Sequence, residues 1–435
     1  MIKKALNNSP QLFLLFWLVI NLIQAAVTET HNDESYYWIY TQQLQWGYFD
    51  HPPMVALVID IGYSLFQNEF GLRLVNVLLI TIAIGFFFKM VPKDSLKTPA
   101  IYLMLLAVPF LNYLGFLVFP DGPLIAFGAA FLFYYQQWLK SNQLKHVFIL
   151  GFCGAAMLYS KYHAGLFFVL IVLSNLELLR NRQFYLITGI SLLLFLPHIW
   201  WQYQHDFPSI RFHLIERSSS FELKYALRFV GEQLLAVGPV LMISLFIKTK
   251  DQFERALAFM VRGFFVFFLF SSLRGVVHIQ WTSLAWLPAI YLVTRFWNDR
   301  FHSKWWYALL VPHILLTLLF RLYVGTDLIP GQKIGPHYVK GQKEWYNALA
   351  EEVGDRPVIF LYDLKEPSAY TFYTGKPAIA IYPDGEKKSQ YDLWQQDKQL
   401  DDKTVVIASK RQFDGAEEFN AGGKRRVYLK REESY

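Results

Sequence analysis

The sequence has few charged residues and almost no cysteine for its length. Of its 435 residues only 17% are charged, against roughly 25% in an ordinary soluble domain. Its single cysteine, Cys153, lies in an apolar segment, which excludes an intramolecular disulfide and argues against thiol metal chemistry. Gly-rich phosphate loops and His-Glu-x-x-His motifs are also missing, so a cytoplasmic nucleotide site has no support. With 54% hydrophobic residues, these shortages indicate an integral membrane protein.

The positive net charge of +7 has a membrane explanation. Lysines and arginines fall in short clusters between apolar runs, as the positive-inside rule requires of cytoplasmic loops. Nucleic acid is therefore rejected as a partner. The first apolar run, Leu12 to Val27, follows Lys3 and Lys4 and lacks a good cleavage site, so we predict an uncleaved anchor with a cytoplasmic N-terminus.

Apolar runs continue as far as Tyr323 and number about eleven by the ~20-residue criterion for a membrane span. Met54 to Phe66 is too short to cross and is predicted to lie along the membrane surface. The predicted spans are 12–27, 72–88, 98–117, 124–139, 146–159, 164–179, 184–201, 227–247, 263–277, 282–296 and 305–323. An odd number of spans places everything after Tyr323 outside the cytoplasm.

The tail differs in composition, because residues 325–435 are rich in charge and contain no spanning run. Glu344–Val353 has the apolar spacing of an amphipathic helix. Short apolar runs bounded by Pro, Gly and Asp predict strands at Val358–Tyr362, Ala378–Tyr382 and Val405–Ala408. We therefore predict an α-helical polytopic membrane domain over residues 1–324 and a small α/β domain outside the membrane over residues 325–435.

Ionisable residues concentrate in the first outer loop, where Asp33 and Glu34 open a polar stretch that ends at Asp50 and His51. Charged groups beside spanning helices are costly, and their default interpretation is functional. The alternative for Asp33 and Glu34 is a helix cap, since the helix dipole favours acids at an N-terminus. Asp121, at the mouth of another span, favours a functional group of acids. Such a group supplies a general base or holds a cation.

Other polar residues are also predicted on the outer side. Lys161 and His163 end an otherwise uncharged span, and Lys161 either binds a phosphate or snorkels to the interface. Arg274 and His278 flank the end of another span next to Trp281, where the alternative is an aromatic and basic belt. Two further candidates lie in a long polar loop whose residues are mostly solvated, namely His205 and Asp206.

In order along the chain, these motifs resemble the GT-C membrane glycosyltransferases. Within them the chain is similar to the branch of protein O-mannosyltransferases, the lipid A aminoarabinose transferase and RgtA/B/C/D-like enzymes. The resemblance covers residues 1 to about 320, and the tail motif Gln390–Trp394 also looks like their outer domain. The motifs that carry it are Asp33-Glu34, Gly47–Pro53, Phe119–Pro123, Ser160–Tyr162 and the His278/Trp281 element.

The resemblance implies a GT-C-like fold in the cell inner membrane and a polyprenyl-phosphate sugar donor. It also implies inverting transfer on the outer face to a glycolipid, polysaccharide or protein. Asp33 matches the family's base, and Glu34 and Asp121 match its supporting acids. His51 stands where the aminoarabinose branch has a lysine and agrees with the O-mannosyltransferase pattern instead.

On this basis each candidate residue has an expected role. The donor phosphate is expected on Lys161 with Arg274 or His278. Asp50 and His51 are expected to orient the acceptor or to hold a divalent ion, and the sequence leaves open whether any metal is used. His163, His205 and Asp206 remain further candidates.

A transporter or flippase of a lipid-linked or anionic substrate is the alternative, because many spans with outer charges also describe one. Transporters usually show paired half-repeats with broken helices, and the sequence shows none.

Overall fold

The computed structural model describes residues 9–213, 221–300, 304–326, 341–383, 389–395, 404–421 and 426–432. The chain in these ranges is mainly helical, followed by one small sheet. Part of the predicted outer loop 202–224 and the stretch after the predicted domain boundary at 324 lie outside the described residues.

The first helices carry the N-terminal run and the outer loop. They are α1 (Ser9–Val27), α2 (Asn32–Ile39), α3 (Met54–Tyr63), α4 (Glu69–Met90), α5 (Pro99–Leu106), α6 (Pro109–Leu114), α7 (Asp121–Ser141), α8 (Leu144–Ser160), α9 (Ala164–Ser174), α10 (Arg182–Gln204) and α11 (Pro208–Arg211). The remaining helices before the tail are α12 (Leu223–Val237), α13 (Pro239–Met242), α14 (Gln252–Ser272), α15 (Trp286–Arg300) and α16 (Lys304–Gly325).

Among the described residues, 4 helices are long and apolar enough to cross a membrane, namely Ser9–Val27, Glu69–Met90, Arg182–Gln204 and Trp306–Gly325. A fifth is reached if Leu223–Val237 and Pro239–Phe246, bent by 111°, count as one broken span. The chain is thus a multi-pass membrane protein by its helices, and the count of about eleven spans stays a prediction.

For two of the predicted spans that differ from the observed helices, the reason can be identified. The run 98–117 divides into α5 and α6, because Pro109 holds the preceding residue in an extended conformation. The run predicted from Gly263 begins earlier, at Gln252, because the Asp251 side chain caps α14 by accepting the N–H of Glu254 at 2.8 Å. Arg262, between the predicted spans 227–247 and 263–277, therefore lies within this helix.

The elements of the tail are α17 (Gln342–Val353), β1 (Val358–Leu361), α18 (Lys365–Thr374), β2 (Ala378–Ile381), α19 (Gln390–Trp394), β3 (Val405–Ser409), β4 (Glu417–Phe419) and β5 (Val427–Glu432). The strands form a 5-stranded sheet with strand order β2-β1-β3-β5-β4. β1 pairs in parallel with β2 and β3, while β5 pairs antiparallel with β3 and β4. The predicted helix and three strands are found within two residues of their predicted bounds, whereas α18, α19, β4 and β5 were not predicted.

This tail (described residues from 341 onward), here called the outer domain after its predicted location, packs on α2 and on the loop that follows it. Helix α18 lies against α2, with the rings of Phe372 and Trp38 5.1 Å apart. The backbone N–H of Gln390 donates to the hydroxyl of Tyr36 at 3.0 Å, and its side-chain oxygen accepts the N–H of Phe49 at 2.7 Å. The outer domain therefore forms one wall of the region that carries the predicted catalytic acids.

Candidate active site

Helix α2 begins with a reciprocal cap that places two acids in its first turn. The ring Nδ1 of His31 accepts the N–H of Asp33 at 3.1 Å, and Glu34 Oε2 accepts the N–H of His31 at 2.8 Å. Both acids therefore lie where the helix dipole stabilises negative charge. The capping interpretation holds for Glu34, and the two acids differ in every other contact.

Glu34 is fully buried in a pair with Arg73, which is also fully buried. Arg73 Nε and one terminal nitrogen bond the two Glu34 oxygens at 2.9 and 2.7 Å. Val118 adds its backbone N–H to Oε1 at 2.8 Å. With both oxygens occupied, Glu34 fixes α2 to α4 and to the loop before α7. Arg73 was missed in the sequence analysis, although a charged residue beside an apolar run is a recognisable signal.

Asp33 points the other way and is accessible. Its side chain is 23% exposed, and its Oδ1 lies 2.5 Å from the ammonium of Lys365 in the outer domain. Its Oδ2 lies 3.6 Å from His31 Nδ1. Lys365 was not predicted, because nothing in the sequence links the tail to the first loop.

Asp50 is held by a tyrosine and a histidine. The Tyr40 hydroxyl donates to Asp50 Oδ1 at 2.5 Å, and His51 Nδ1 lies 3.0 Å from the same oxygen. The His213 ring contacts the Asp50 carbonyl oxygen at 2.9 Å. Burial acts to raise the pKa of Asp50, but the charge of His51 and the hydrogen bonds from His51 and Tyr40 together hold that pKa below its ordinary value.

Asp121 and Lys161 form a buried ion pair, with the Lys161 ammonium 2.7 Å from Oδ2. The Ser283 hydroxyl donates to the other carboxylate oxygen at 2.9 Å. Asp121 is 1% exposed and Lys161 is 7% exposed. Lys161 is therefore not a snorkelling lysine, because its charge is directed inward to a carboxylate.

One tyrosine, Tyr37, lies near the three separate carboxylates of Asp33, Asp50 and Asp121. The ring of Tyr37, in α2, lies 5.2 Å from the ring of His51. Burial raises the pKa of Tyr37 well above its usual range, and the charges of Asp33, Asp50 and Asp121 raise it further. The Tyr37 ring also lies 6.3 Å from the ring of Phe119, two residues before Asp121. Together with the contact to His51, next to Asp50, this places all three acids near α2, and their common role stays a proposal.

The remaining candidates group around two tryptophans. Trp281 lies between the rings of His163 and His278, at 5.1 and 5.7 Å. Arg274 is exposed on the same connection between α14 and α15. His205 stacks on Trp201 at 4.3 Å and contacts its carbonyl oxygen at the end of α10.

Asp206 follows His205 with a positive φ of 59° and is exposed. The contacts of this pair belong to the termination of α10. No group of three or more His, Cys, Asp or Glu side chains that could hold a metal ion occurs in the described part of the chain.

Comparison with known proteins of similar fold and sequence identifies the class of protein to which this chain is similar. The crystal structure of ArnT from Cupriavidus metallidurans in the apo state matches with a TM-score of 0.69 and 13% identity, over 96% of this chain and 97% of that one. Its structure bound to undecaprenyl phosphate matches with a TM-score of 0.68 and 14% identity, over the same shares.

Lipid A galacturonosyltransferase RgtD from Rhizobium johnstonii is 23% identical over 412 residues, which are 86% of this chain and 85% of RgtD. The model of the dolichyl-phosphate-mannose-protein mannosyltransferase family matches residues 50–201. The chain is a GT-C-fold glycosyltransferase.

A further structural likeness agrees with this fold. The oligosaccharyltransferase AglB from Archaeoglobus fulgidus, in complex with an inhibitory peptide and a dolichol-phosphate, has a TM-score of 0.50 and 12% identity. That match covers 92% of this chain and 69% of AglB.

Helices of this chain break at Pro109 and at Gly238-Pro239, whereas the sequence had shown no paired half-repeats with broken helices of the kind usual in transporters. Helix breaks alone therefore do not indicate a transporter.

Proposed function

We propose that this GT-C glycosyltransferase transfers a sugar from a polyprenyl-phosphate donor to a glycolipid acceptor on the outer face of the membrane, with inversion. The observation that carries the proposal is a group of acids with cations against them near α2, with Lys365 2.5 Å from Asp33 and Lys161 2.7 Å from Asp121. The name of RgtD supports a lipid A-type acceptor. The bound lipid of ArnT supports a polyprenyl-phosphate carrier.

Asp33 is the proposed base because it is the accessible member of the α2 acid pair. It takes the proton of the acceptor hydroxyl while the hydroxyl oxygen bonds to the anomeric carbon. The bond from that carbon to the donor phosphate oxygen breaks, and the phosphate leaves with the electron pair. Attack opposite the leaving group inverts the anomeric centre.

Cations beside the leaving phosphate stabilise the charge that develops there, which is usually the largest catalytic contribution. Lys161 is proposed for this role with Arg274 or His278. An ammonium has three N–H donors, so Lys161 can keep its bond to Asp121 and donate a second one to a phosphoryl oxygen.

The remaining acids are proposed to support this arrangement. Glu34, bound to Arg73, sets the position of α2 and so of Asp33. Asp50 and His51 orient the acceptor, and no step requires a metal ion.

The proposed orientation places the N-terminus in the cytoplasm and the outer domain on the opposite side of the inner membrane. A reporter that is active only in the cytoplasm, fused after Tyr435, should be silent, and the same reporter placed at the N-terminus should be active. Activity of the C-terminal fusion would contradict the shared outer face of the acids.

A donor–acceptor assay tests the reaction itself. The purified full chain is given polyprenyl-phosphate-linked galacturonic acid, aminoarabinose or mannose, each with lipid A, a polysaccharide or a protein acceptor. We expect a glycolipid product with inverted anomeric configuration by NMR, and none from Asp33→Asn. Transfer to protein alone would show that the acceptor is a protein and not a glycolipid. Lipid movement across vesicle membranes without any sugar transfer would favour the flippase.

A further inference from the structure

Lys365 is a cation that the outer domain extends into the acid site. It begins α18, and its ammonium lies 2.5 Å from Asp33 Oδ1 with the side chain 30% exposed. The pair joins two parts of the chain that composition alone divides into a membrane domain and a tail.

The start of α18 is held rigidly at the carboxyl ends of parallel strands β1 and β3. Asp363 Oδ1 accepts the backbone N–H groups of Lys365 and Glu366 at 2.9 and 3.1 Å. The Lys410 ammonium, just beyond β3, lies 2.6 Å from Asp363 and 2.8 Å from Glu366. Tyr346 donates its hydroxyl to the second Glu366 oxygen at 2.9 Å.

Asp363 and Glu366 therefore already share a cationic partner, Lys410, without Lys365. Burial acts to lower the pKa of Lys410, but the charges of Glu366 and Asp363 hold that pKa above its ordinary value, so Lys410 stays cationic. Lys365, next to these two acids in sequence, directs its charge out of its own domain to Asp33.

The site needs a cation that a substrate can reach. Asp33, Asp50 and Asp121 already bring negative charge around Tyr37, and a donor phosphate adds more. Lys161, also proposed for the donor phosphate, is buried and shares its charge with Asp121. Lys365 is accessible, and a lysine ammonium that gives one N–H to Asp33 has two others available to an oxygen ligand.

We propose that Lys365 is a donor-binding residue that the outer domain supplies, giving one N–H to Asp33 and another to the donor phosphate. The inference rests on the proposed function, since it requires a phosphate-linked donor. Lys365 thereby places the leaving phosphate at a fixed distance from the proposed base. The outer domain is then part of the catalytic site and not only a cover over it.

Binding of two lipids that differ only in the phosphate tests this role. The purified full chain is titrated with undecaprenyl phosphate and with uncharged undecaprenol, following tryptophan fluorescence. We expect Lys365→Met to bind undecaprenyl phosphate about tenfold to hundredfold more weakly, as for a lost charge-assisted hydrogen bond, and to bind undecaprenol unchanged. Lys365→Arg keeps the cation and should recover most of the phosphate affinity.

Lys430 provides a matched control in the same domain, because it also lies 2.5 Å from a carboxylate, that of Glu432, and is 38% exposed. Lys430→Met should leave both affinities unchanged. Equal losses for both lipids in Lys365→Met would reduce Lys365 to a structural contact, and an unchanged phosphate affinity would overturn the proposal directly. If the wild-type chain bound undecaprenyl phosphate no more tightly than undecaprenol, the proposed polyprenyl-phosphate donor would be contradicted, and the role of Lys365 with it.

Discussion

Two neighbouring acids on α2 occupy opposite environments. Glu34 and Arg73 are both 0% exposed, whereas Asp33 and Lys365 are 23% and 30% exposed. The first pair joins α2 to the apolar helices, and the second joins it to the outer domain. A single helical turn thus carries both a structural charge pair and an accessible one.

The comparison shows how burial divides the roles of identical chemical groups. A buried carboxylate with every oxygen occupied contributes geometry, and removing its partner leaves an uncompensated charge. An exposed pair contributes little to stability, since water competes for both charges. Asp33 can therefore exchange partners during a reaction at small cost, and Glu34 cannot.

The largest effect is expected where the buried pair is broken. Arg73→Met leaves Glu34 buried without its cation and should destabilise the fold by about 3–5 kcal/mol. We expect little folded protein in membranes and a strongly lowered unfolding temperature in detergent. Adding Glu34→Gln should recover part of the yield, because the uncompensated charge is removed. Normal yield of the single variant would show that the Glu34–Arg73 pair, like the Asp33–Lys365 pair, contributes little to stability.

Asp33→Asn should separate activity from folding. The amide keeps the shape and loses the base, so transfer should fall about hundredfold to ten-thousandfold. The unfolding temperature should stay close to that of wild type, because the pair with Lys365 is partly exposed. Turnover is measured in the donor–acceptor assay, and retention of more than a tenth of the wild-type rate would remove Asp33 from the base role.

Lys161→Met tests a third, intermediate environment. It leaves Asp121 buried without its cation, so we expect stability to fall by about 3 kcal/mol together with loss of transfer. Lys161→Arg keeps the charge but replaces a compact ammonium by a planar group, and should be impaired but measurable. The double variant with Asp121→Asn should regain stability and not transfer. Recovery of transfer in the double variant would limit Lys161 to neutralising Asp121.

The smallest effect concerns Tyr40 and Asp50. Tyr40→Phe removes one hydrogen bond to the carboxylate and should lower stability at pH 7 by about 1.5 kcal/mol. Because folding lowers the pKa of Asp50, its stabilising contribution is complete above the ordinary value of 3.8 and is lost as the pH falls through the lowered pKa. The difference between variant and wild type should therefore shrink below about pH 4. Unfolding temperatures from pH 3 to 7 measure it, and a constant difference would contradict the assignment.

The sequence predicted what depends on local composition and spacing. Apolar runs give the membrane class, and the periodicity of residues 344–408 gives the helix and three strands of the outer domain. The outward loops predicted a shared site for Asp33, Asp50 and Asp121. Tyr37, in the helix of Asp33, contacts His51 and Phe119 close to the other two acids, and the shared site stays a proposal.

Contacts between distant elements could not be predicted. Arg73 and Lys365 approach α2 from opposite sides through tertiary packing, which no local pattern encodes. Strands β4 and β5 were missed because Glu417–Phe419 and Val427–Glu432 carry many charges and little apolar alternation.

Gln390 gives the docking of the outer domain a consequence for protein engineering. Its two bonds, to Tyr36 and to Phe49, reach both ends of the segment that leads from α2 to Asp50. A chimera that takes the outer domain from a relative would replace this bridge and Lys365 together. A functional chimera should therefore require that the outer domain and the 31–53 loop come from the same parent. The segment to be exchanged in such chimeras thus includes residues on both sides of the predicted boundary between membrane domain and tail.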